Sequence, residues 1–386
     1  MTSIPQSPFL PYGHQMIDED DIAAVANVLR SDWLTTGPKV EEFEQAVAAF
    51  CGAGHGVAVS SGTAALHAAL HAIGIGPGDE VIVPAMTFAA TANAVVYQGG
   101  TPVFADVEAD TLLIDPASVA ARITSRTKAV VAVDYAGQPC DYDALRRLAD
   151  RHGLRLVADA CHSLGGEWNG RQVGRLAELT VFSFHPVKHI TTGEGGMVAT
   201  DDHRLASTMR RFRNHGIATD HRQREASGAW QYEMVELGYN YRLSDLQCAL
   251  GTSQLTKLPE FLKRRRQIAT RYDQAFAGQD AIRPLCIRTP ALSAWHLYVV
   301  RLKDAATREL AFRRLRQDGI GANVHYLPVH LHPFYRRRFG YGPDLCPVAE
   351  AAYEEILSLP IWPGMGGEQV QRVIRGLLEL GPPDAQ

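Results

Sequence analysis

Ser183, Phe184, His185, Pro186, Val187 and Lys188 are followed, after His189 and Ile190, by Thr191, Thr192, Gly193, Glu194, Gly195 and Gly196. An apolar run over residues 179–184 leads into them, so Lys188 lies in a short, glycine-bounded loop at the end of a strand. A lysine placed there is set for chemistry rather than solvation, because a primary amine can add to an aldehyde or exchange protons with a bound substrate. Asp159 closes a second apolar run, Leu156-Val157-Ala158, and His162 follows it.

These residue types match the needs of pyridoxal 5'-phosphate (PLP). That cofactor requires an amine for its aldehyde, a carboxylate for its pyridine nitrogen, donors for its phosphate and a flat partner for its ring. Lys188 is the amine, read as holding the cofactor in a Schiff base and then shuttling a proton. Asp159 would keep the ring nitrogen protonated, although an aspartate there can equally cap a helix. His162 would reach the phenolic oxygen or stack nearby. Ser61, Gly62 and Thr63 open a helix after a strand, where free N–H groups and hydroxyls cradle phosphate, and Ser183 adds a hydroxyl. Phe88, after Pro84-Ala85-Met86-Thr87, is either the ring-stacking residue or core packing.

The elements that must position these groups alternate. Valine-rich runs at residues 80–84, 101–107, 129–135, 154–158 and 179–184 are separated by helical patterns such as 88–98 and 142–152, with Gly99-Gly100 and Gly153 as stops. Near-continuous apolar strands in such alternation predict a mostly parallel sheet covered on both faces. Beyond Pro259 the texture changes. Arg264-Arg265-Arg266 reads as polar helix, residues 295–302 as a half-exposed strand, 305–318 as helix and 322–326 as a strand. The expected architecture is α/β: residues 37–255 form a large α/β/α domain, 256–386 a small C-terminal α+β domain, and 1–36, with a helix over 18–30, an N-terminal segment packing with the small one.

The chain has 386 residues, 46% hydrophobic and 21% charged, and a net charge of -4, so it can bury a substantial core and carries no basic footprint for nucleic acid. Its six cysteines form no Cys-x-x-Cys pair and read as reduced thiols. No run is long enough to span a membrane, and residues 1–11 lack a signal-peptide pattern, so a cytoplasmic protein is expected. Gly74-Ile75-Gly76-Pro77-Gly78 follows a helix and precedes a strand, the reverse of a dinucleotide loop. His67 and His71 have metal-like spacing without a matching carboxylate and read as helix packing, so no metal is expected. His325, His330 and His332 read better as diphosphate or sugar contacts than as metal ligands.

Together these residues resemble the DegT/StrS sugar-nucleotide aminotransferases, over nearly the whole chain. The motifs are Ser61-Gly62-Thr63, Thr87-Phe88 with Ala92-Asn93, Asp159 to His162, Ser183 to Gly196, and Gly238-Tyr239-Asn240-Tyr241-Arg242-Leu243. The resemblance implies the fold type I (aspartate aminotransferase-like) architecture and a homodimer with shared active sites, in which Asn240 reaches the cofactor phosphate of the neighbouring subunit. Lys188 argues against relatives with histidine at that position, which act as dehydratases.

Tyr12-Gly13, the stretch from Ser31 to Pro38, Asp134 to Pro139, Ile190-Thr191-Thr192, Ser293 to Tyr298 and Val324 to Pro328 resemble one subgroup more narrowly. Its members aminate a UDP-linked 4-keto sugar in pseudaminic acid biosynthesis. That implies L-glutamate as amino donor and a UDP-4-keto-6-deoxy-N-acetylhexosamine of L-arabino configuration as acceptor. By the same resemblance Tyr12, Asp32, Trp33, Leu34, Thr35, Ser61, Ser183, Asn240, His325, Tyr326, Leu327 and Pro328 face the sugar nucleotide or cofactor. An aminotransferase for another keto sugar, or a non-catalytic regulator on the same fold, are the competing readings.

Overall fold

The computed structural model describes residues 8–219, 224 and 228–379, so residues 1–7 and 380–386 of the expected terminal segments lie outside the described residues. The valine-rich runs form strands β1 (His55–Val59), β2 (Glu80–Pro84), β3 (Thr101–Ala105), β4 (Thr127–Val133) and β5 (Arg155–Asp159). Short β6 (Glu167–Trp168) and β7 (Arg171–Gln172) precede β8 (Leu179–Ser183) and β9 (Gly196–Thr200). Among the described residues seven of these make one sheet, in the order β1, β9, β8, β5, β4, β2, β3. The neighbours from β8 to β3 pair in parallel, whereas β9 runs antiparallel to both β8 and β1. The carboxyl ends of β1, β2, β4, β5 and β8 therefore share one edge. Val81, Ile82, Val83, Val131, Val157 and Val181 expose nothing, as strands covered on both faces require.

Helices α1 (Glu19–Leu29), α2 (Pro38–Cys51), α3 (Gly62–Ala72), α4 (Ala90–Tyr97), α5 (Pro116–Arg122), α6 (Tyr142–His152) and α7 (His203–Phe212) cover the sheet or flank it. Helix α6 ends as expected at Gly153, whose φ of 65° suits a residue without Cβ. None of the helices among the described residues is long and apolar enough to cross a membrane.

Helix α8 (Asp245–Phe276) runs through the expected boundary at residue 255 without interruption. Its Leu255, Leu258 and Leu262 pack into the core around the large sheet. Its Ile268, Ala269, Tyr272 and Phe276 belong to a second core with Leu10, Tyr298, Leu315 and Leu357. That core holds strands β10 (Ile282–Pro284), β12 (Tyr298–Leu302) and β13 (Ile356–Leu359), with β12 in the middle, and helices α9 (Ala305–Gln317) and α12 (Gly367–Leu378). Between these lie β11 (Ala291–Leu292), α10 (Pro333–Phe339) and α11 (Pro347–Glu355).

Two expectations are corrected here. The half-exposed strand over 295–302 is instead a buried strand beginning at Tyr298, because Tyr298, Val300 and Leu302 feed the second core while Val299 feeds the first. Residues 322–326 form no strand. Asn323 alone pairs with Ser358, and His325, two residues on, takes up the Ser358 hydroxyl at 2.8 Å.

Polar ties fix the long helix to its neighbours. Asp245, fully buried, accepts from Gly37 N at 2.7 Å and Lys39 N at 3.0 Å, and so caps α2 with a side chain from α8. Gly37 must be glycine there, since a Cβ would stand 2.6 Å from that carboxylate. Asp21 of α1 receives Ser253 Oγ and Gln254 Nε2, each at 2.7 Å. Arg265, read from sequence as part of a polar helix, is buried. Its Nη1 donates to the carbonyls of Trp295 at 3.1 Å, His296 at 3.3 Å and Ile361 at 3.0 Å. Burial lowers its guanidinium to about 9, which leaves it charged at neutral pH.

Arg265→Met keeps the volume but strands those three carbonyls. The loss expected is at least about 3 kcal/mol, read as a lower urea midpoint of the apoprotein. An unchanged midpoint would show that the guanidinium does not hold the two cores together.

Candidate active site

The shared carboxyl edge gathers the groups singled out from sequence. After β8 the chain folds back on itself: Phe184 N donates to Gly195 O at 2.9 Å, and Phe184 O accepts from Thr192 N at 3.1 Å and Thr191 Oγ1 at 3.0 Å. Gly193, at φ 79°, makes the reversal possible. Lys188 is held inside this loop by its N–H to His185 O at 2.9 Å. Burial lowers the pKa of its amine, with Arg265 acting the same way, while Cys161 and Asp159 pull it back up. The net direction favours the neutral amine.

Asp159 ends β5 and is 6% exposed. The capping alternative does not hold, since no helix follows. Its Oδ1 accepts from Cys161 N at 3.3 Å, and its Oδ2 accepts from Thr91 Oγ1 at 2.7 Å. Thr87 and Thr91 share a hydroxyl contact at 2.8 Å, so a two-threonine chain fixes the carboxylate. Thr91 was missed from sequence. The only signal was its spacing of four from Thr87 at the start of α4.

Beside this carboxylate, His162 places Nε2 3.3 Å from Tyr326 Oη and buries Nδ1 without a partner. Ser61 caps α3, accepting from Ala64 N at 3.1 Å. The next residue, Gly62, lets that helix start approach β8: a Cβ would stand 2.9 Å from Ser183 Cβ and 3.3 Å from Cys161 Sγ. The first N–H groups of α3, including those of Gly62 and Thr63, have no intrahelical acceptors. Phe88 is 60% exposed, with its ring centroid 6.0 Å from that of Tyr326, which removes the core-packing reading.

These observations fit PLP. A fixed carboxylate, a half-buried lysine, a glycine-made gap between a helix start and Ser183, an exposed aromatic face and an unpaired imidazole nitrogen lie on one edge. Asp159 would meet the ring nitrogen, Ser61, Gly62, Thr63 and Ser183 the phosphate, and Phe88 a ring face.

The substrate-facing candidates separate into two groups. Tyr12 lies 5.3 Å from His325 between ring centroids, and Tyr135 Oη donates to His325 O. Tyr326 in turn stands against His162 and His325 against Ser358, while Leu327 is half-buried and Pro328 buried. In contrast, Asp32, Leu34 and Thr35 are exposed and Trp33 half-buried, and this stretch is strapped to the start of α8 by Asp245 N to Leu34 O at 3.1 Å. Gln247 of that helix turn donates to Glu194 O at 2.7 Å, linking it to the far side of the Lys188 loop. Asn240 is exposed and bridges through its backbone to Asn214, while Tyr241 O accepts from Ser60 N at 2.8 Å. Arg242 donates to Asn214 Oδ1 at 2.8 Å.

His330 is corrected. It exposes nothing and sits 2.9 Å from Glu350, packed against Phe104, so it contacts no substrate. His67 meets Tyr241 Oη at 3.1 Å and His71 meets Glu236 at 3.1 Å, the helix-packing roles expected. Two further histidines escaped notice as site residues: His189, bonded to Ala294 O at 3.0 Å, and His296, whose Nε2 is 3.5 Å from Lys188 Nζ. Asp134, singled out from sequence only as part of a motif, braces the site. Fully buried, it accepts from Ser163 Oγ at 2.6 Å, Tyr142 Oη at 2.8 Å and Cys140 N at 2.9 Å, tying the turn after Asp159 to the loop after β4.

Residues 15–378 match the DegT/DnrJ/EryC1/StrS aminotransferase family, and the chain belongs to it. It is 44% identical over 377 residues to the spore coat polysaccharide biosynthesis protein SpsC of Bacillus subtilis, which covers 96% of this chain and 97% of that one. Spr1654 of Streptococcus pneumoniae, solved in its PMP form, superposes with a TM-score of 0.92 at 33% identity, over 96% of this chain and 98% of that one. The Helicobacter pylori aminotransferase PseC, involved in the biosynthesis of pseudaminic acid, superposes with a TM-score of 0.90 at 34% identity, over 96% and 99%. The architecture is that of a fold type I aminotransferase.

The buried histidines give a pH dependence with a definite sign. Burial holds His162, His189 and His296 neutral, and lowers His325 to about 4. Between about 6.5 and 4 the unfolded chain binds protons that the folded chain refuses, so stability falls as pH falls. Each such histidine contributes up to about 1.4 kcal/mol per pH unit. Urea titrations of the apoprotein at several pH values should show this slope, and His325→Gln should flatten it. A slope unchanged in that variant would rule out His325 as a contributor.

Proposed function

We propose that this PLP-dependent sugar aminotransferase moves the amino group of L-glutamate to C4 of a UDP-linked 4-keto-6-deoxy-N-acetylhexosamine of L-arabino configuration. The product would be UDP-4-amino-4,6-dideoxy-N-acetyl-β-L-altrosamine, a step of pseudaminic acid biosynthesis. The observation that carries the reading is the half-buried Lys188, its amine against His296, on the same sheet edge as a fixed carboxylate. The likeness to PseC along nearly the full chain supports the substrate.

The cofactor, when bound, supplies an electron sink that makes the C–H bond beside the substrate nitrogen acidic. The chain supplies the rest. Asp159, oriented by Thr91, keeps the ring nitrogen protonated. Lys188, favoured as a neutral amine by burial, takes and returns the proton at Nζ in both halves of the reaction. Tyr12, His325 and Tyr326 form an aromatic wall that shields the site from water and gives a sugar or uracil a flat face.

The partner copy belongs to the same proposal. Trp230 is 83% exposed, Leu237 75% and Met234 64%, an apolar run beside Asn240. A second subunit laid on that run would cover it and bring its own Asn240 to the phosphate, giving a homodimer with shared sites.

The greater identity with SpsC favours a second reading, amination of another nucleotide-linked keto sugar by the same residues. Offering glutamate with the L-arabino and D-xylo epimers of the UDP-4-keto sugar, and following products by mass spectrometry, separates the two. Amination confined to the L-arabino epimer is expected. Preference for D-xylo would move the enzyme to the second reading. Lys188→Ala should lower turnover by at least about 10²-fold, the scale of a lost acid–base group, and full activity in that variant would overturn the mechanism.

A further inference from the structure

We propose that His296 is the positioning residue of Lys188, its Nε2 accepting a hydrogen bond from Nζ and holding the amine in place whenever that amine is free. This rests on Lys188 being the cofactor lysine. The contact of 3.5 Å is long, as such contacts often are before ligands close a site.

Much structure is devoted to placing this one ring. The preceding residue, Trp295, adopts φ 52°, and Ala136, on the loop packed against it, adopts φ 58°. Neither is glycine, so each holds a left-handed conformation that residues with a Cβ rarely adopt. The two loops are stitched by Ala294 N to Gly137 O at 2.9 Å and Leu297 N to Ala136 O at 3.1 Å. Gly137 allows the approach, since a Cβ there would stand 2.8 Å from His296 N and 2.7 Å from Trp295 N. From the opposite side Arg265 takes the carbonyls of both Trp295 and His296. The backbone of His296 is therefore clamped from α8 and from the loop after β4, with strain accepted in two places.

Its Nδ1 is buried and has no partner, so the ring is not placed to satisfy both of its nitrogens. It is placed so that Nε2 meets Lys188. The ring leans on His162 at 4.3 Å and lies 5.6 Å from His189, which fixes its plane.

The charged and titratable groups around the lysine are Asp159 and Cys161 from the end of β5, Arg265 from α8, and the histidines 162, 189, 296 and 325. Burial, then Lys188 itself and the neighbouring cations, keep His296 uncharged. A neutral imidazole can accept from the amine without adding a like charge. An ammonium gains more from that acceptor than a neutral amine does.

The test uses apoprotein and needs no substrate. Lys188 is trace-labelled with acetic anhydride across pH, and the Lys188 peptide is quantified by mass spectrometry in wild type, His296→Leu and His296→Gln. Leucine removes the acceptor while still excluding water, so the labelling midpoint should fall by about one pH unit. Glutamine retains an acceptor and should restore most of that shift. Should the leucine variant not fold, His296→Asn, whose amide is too short to reach Nζ, replaces it. An unshifted midpoint in a variant that melts like wild type overturns the proposal. A wild-type midpoint at the ordinary lysine value of about 10.4 would instead overturn the assignment of Lys188 as a working amine, and this inference with it.

Discussion

One buried guanidinium holds the molecule's two cores in register. Arg265 sits on the helix that threads both, and its donors close on carbonyls from residues 295, 296 and 361. Three carbonyl oxygens thus converge on one charged nitrogen. The 293–297 loop is held from one side by that contact. The loop in turn bonds the turn after β4, which is braced by Asp134 against the turn after Asp159.

The chemistry then follows from where the sheet ends. Six strands finish on one edge, and the polar groups needed there come from the last residue of five of them or from residues just beyond: Ser60 and Ser61, Thr87, Asp134, Asp159, Ser183. Strand interiors are apolar because both faces are covered, so the first polar residue after each run falls at the edge by construction. Lys188 reaches the same edge from a loop that reverses between β8 and the antiparallel β9, which is why its backbone is tied so closely to Phe184 and Gly195.

Burial sets the protonation states. The same low-polarity surroundings that favour a neutral Lys188 keep the histidines around it neutral, so the site holds many basic groups without accumulating positive charge. Among these neighbours Asp159 is held in place by Thr91 Oγ1 and by the N–H of Cys161. A carboxylate so held is available to a cationic ring nitrogen without first shedding a protein partner of opposite charge.

Much of this was legible from residues alone where the information is local. The valine runs foretold the strands, Gly153 the end of α6, and the loop from Ser183 to Gly196 the amine, because periodicity and strand ends are written within a few residues. The substrate's identity rests on resemblance and on assay, since no local pattern encodes a sugar's stereochemistry. What the chain could not disclose locally came from contacts far apart in sequence. Thr91 meets Asp159 across 68 positions, and His296 meets Lys188 across 108. Arg265 read as part of a polar helix until the fold buried it, and residues 295–302 read as half-exposed until two cores closed on opposite faces of one strand. Periodicity reports which face of an element is apolar. Only the packed tertiary structure decides whether the other face meets water, a second core or a reactive amine.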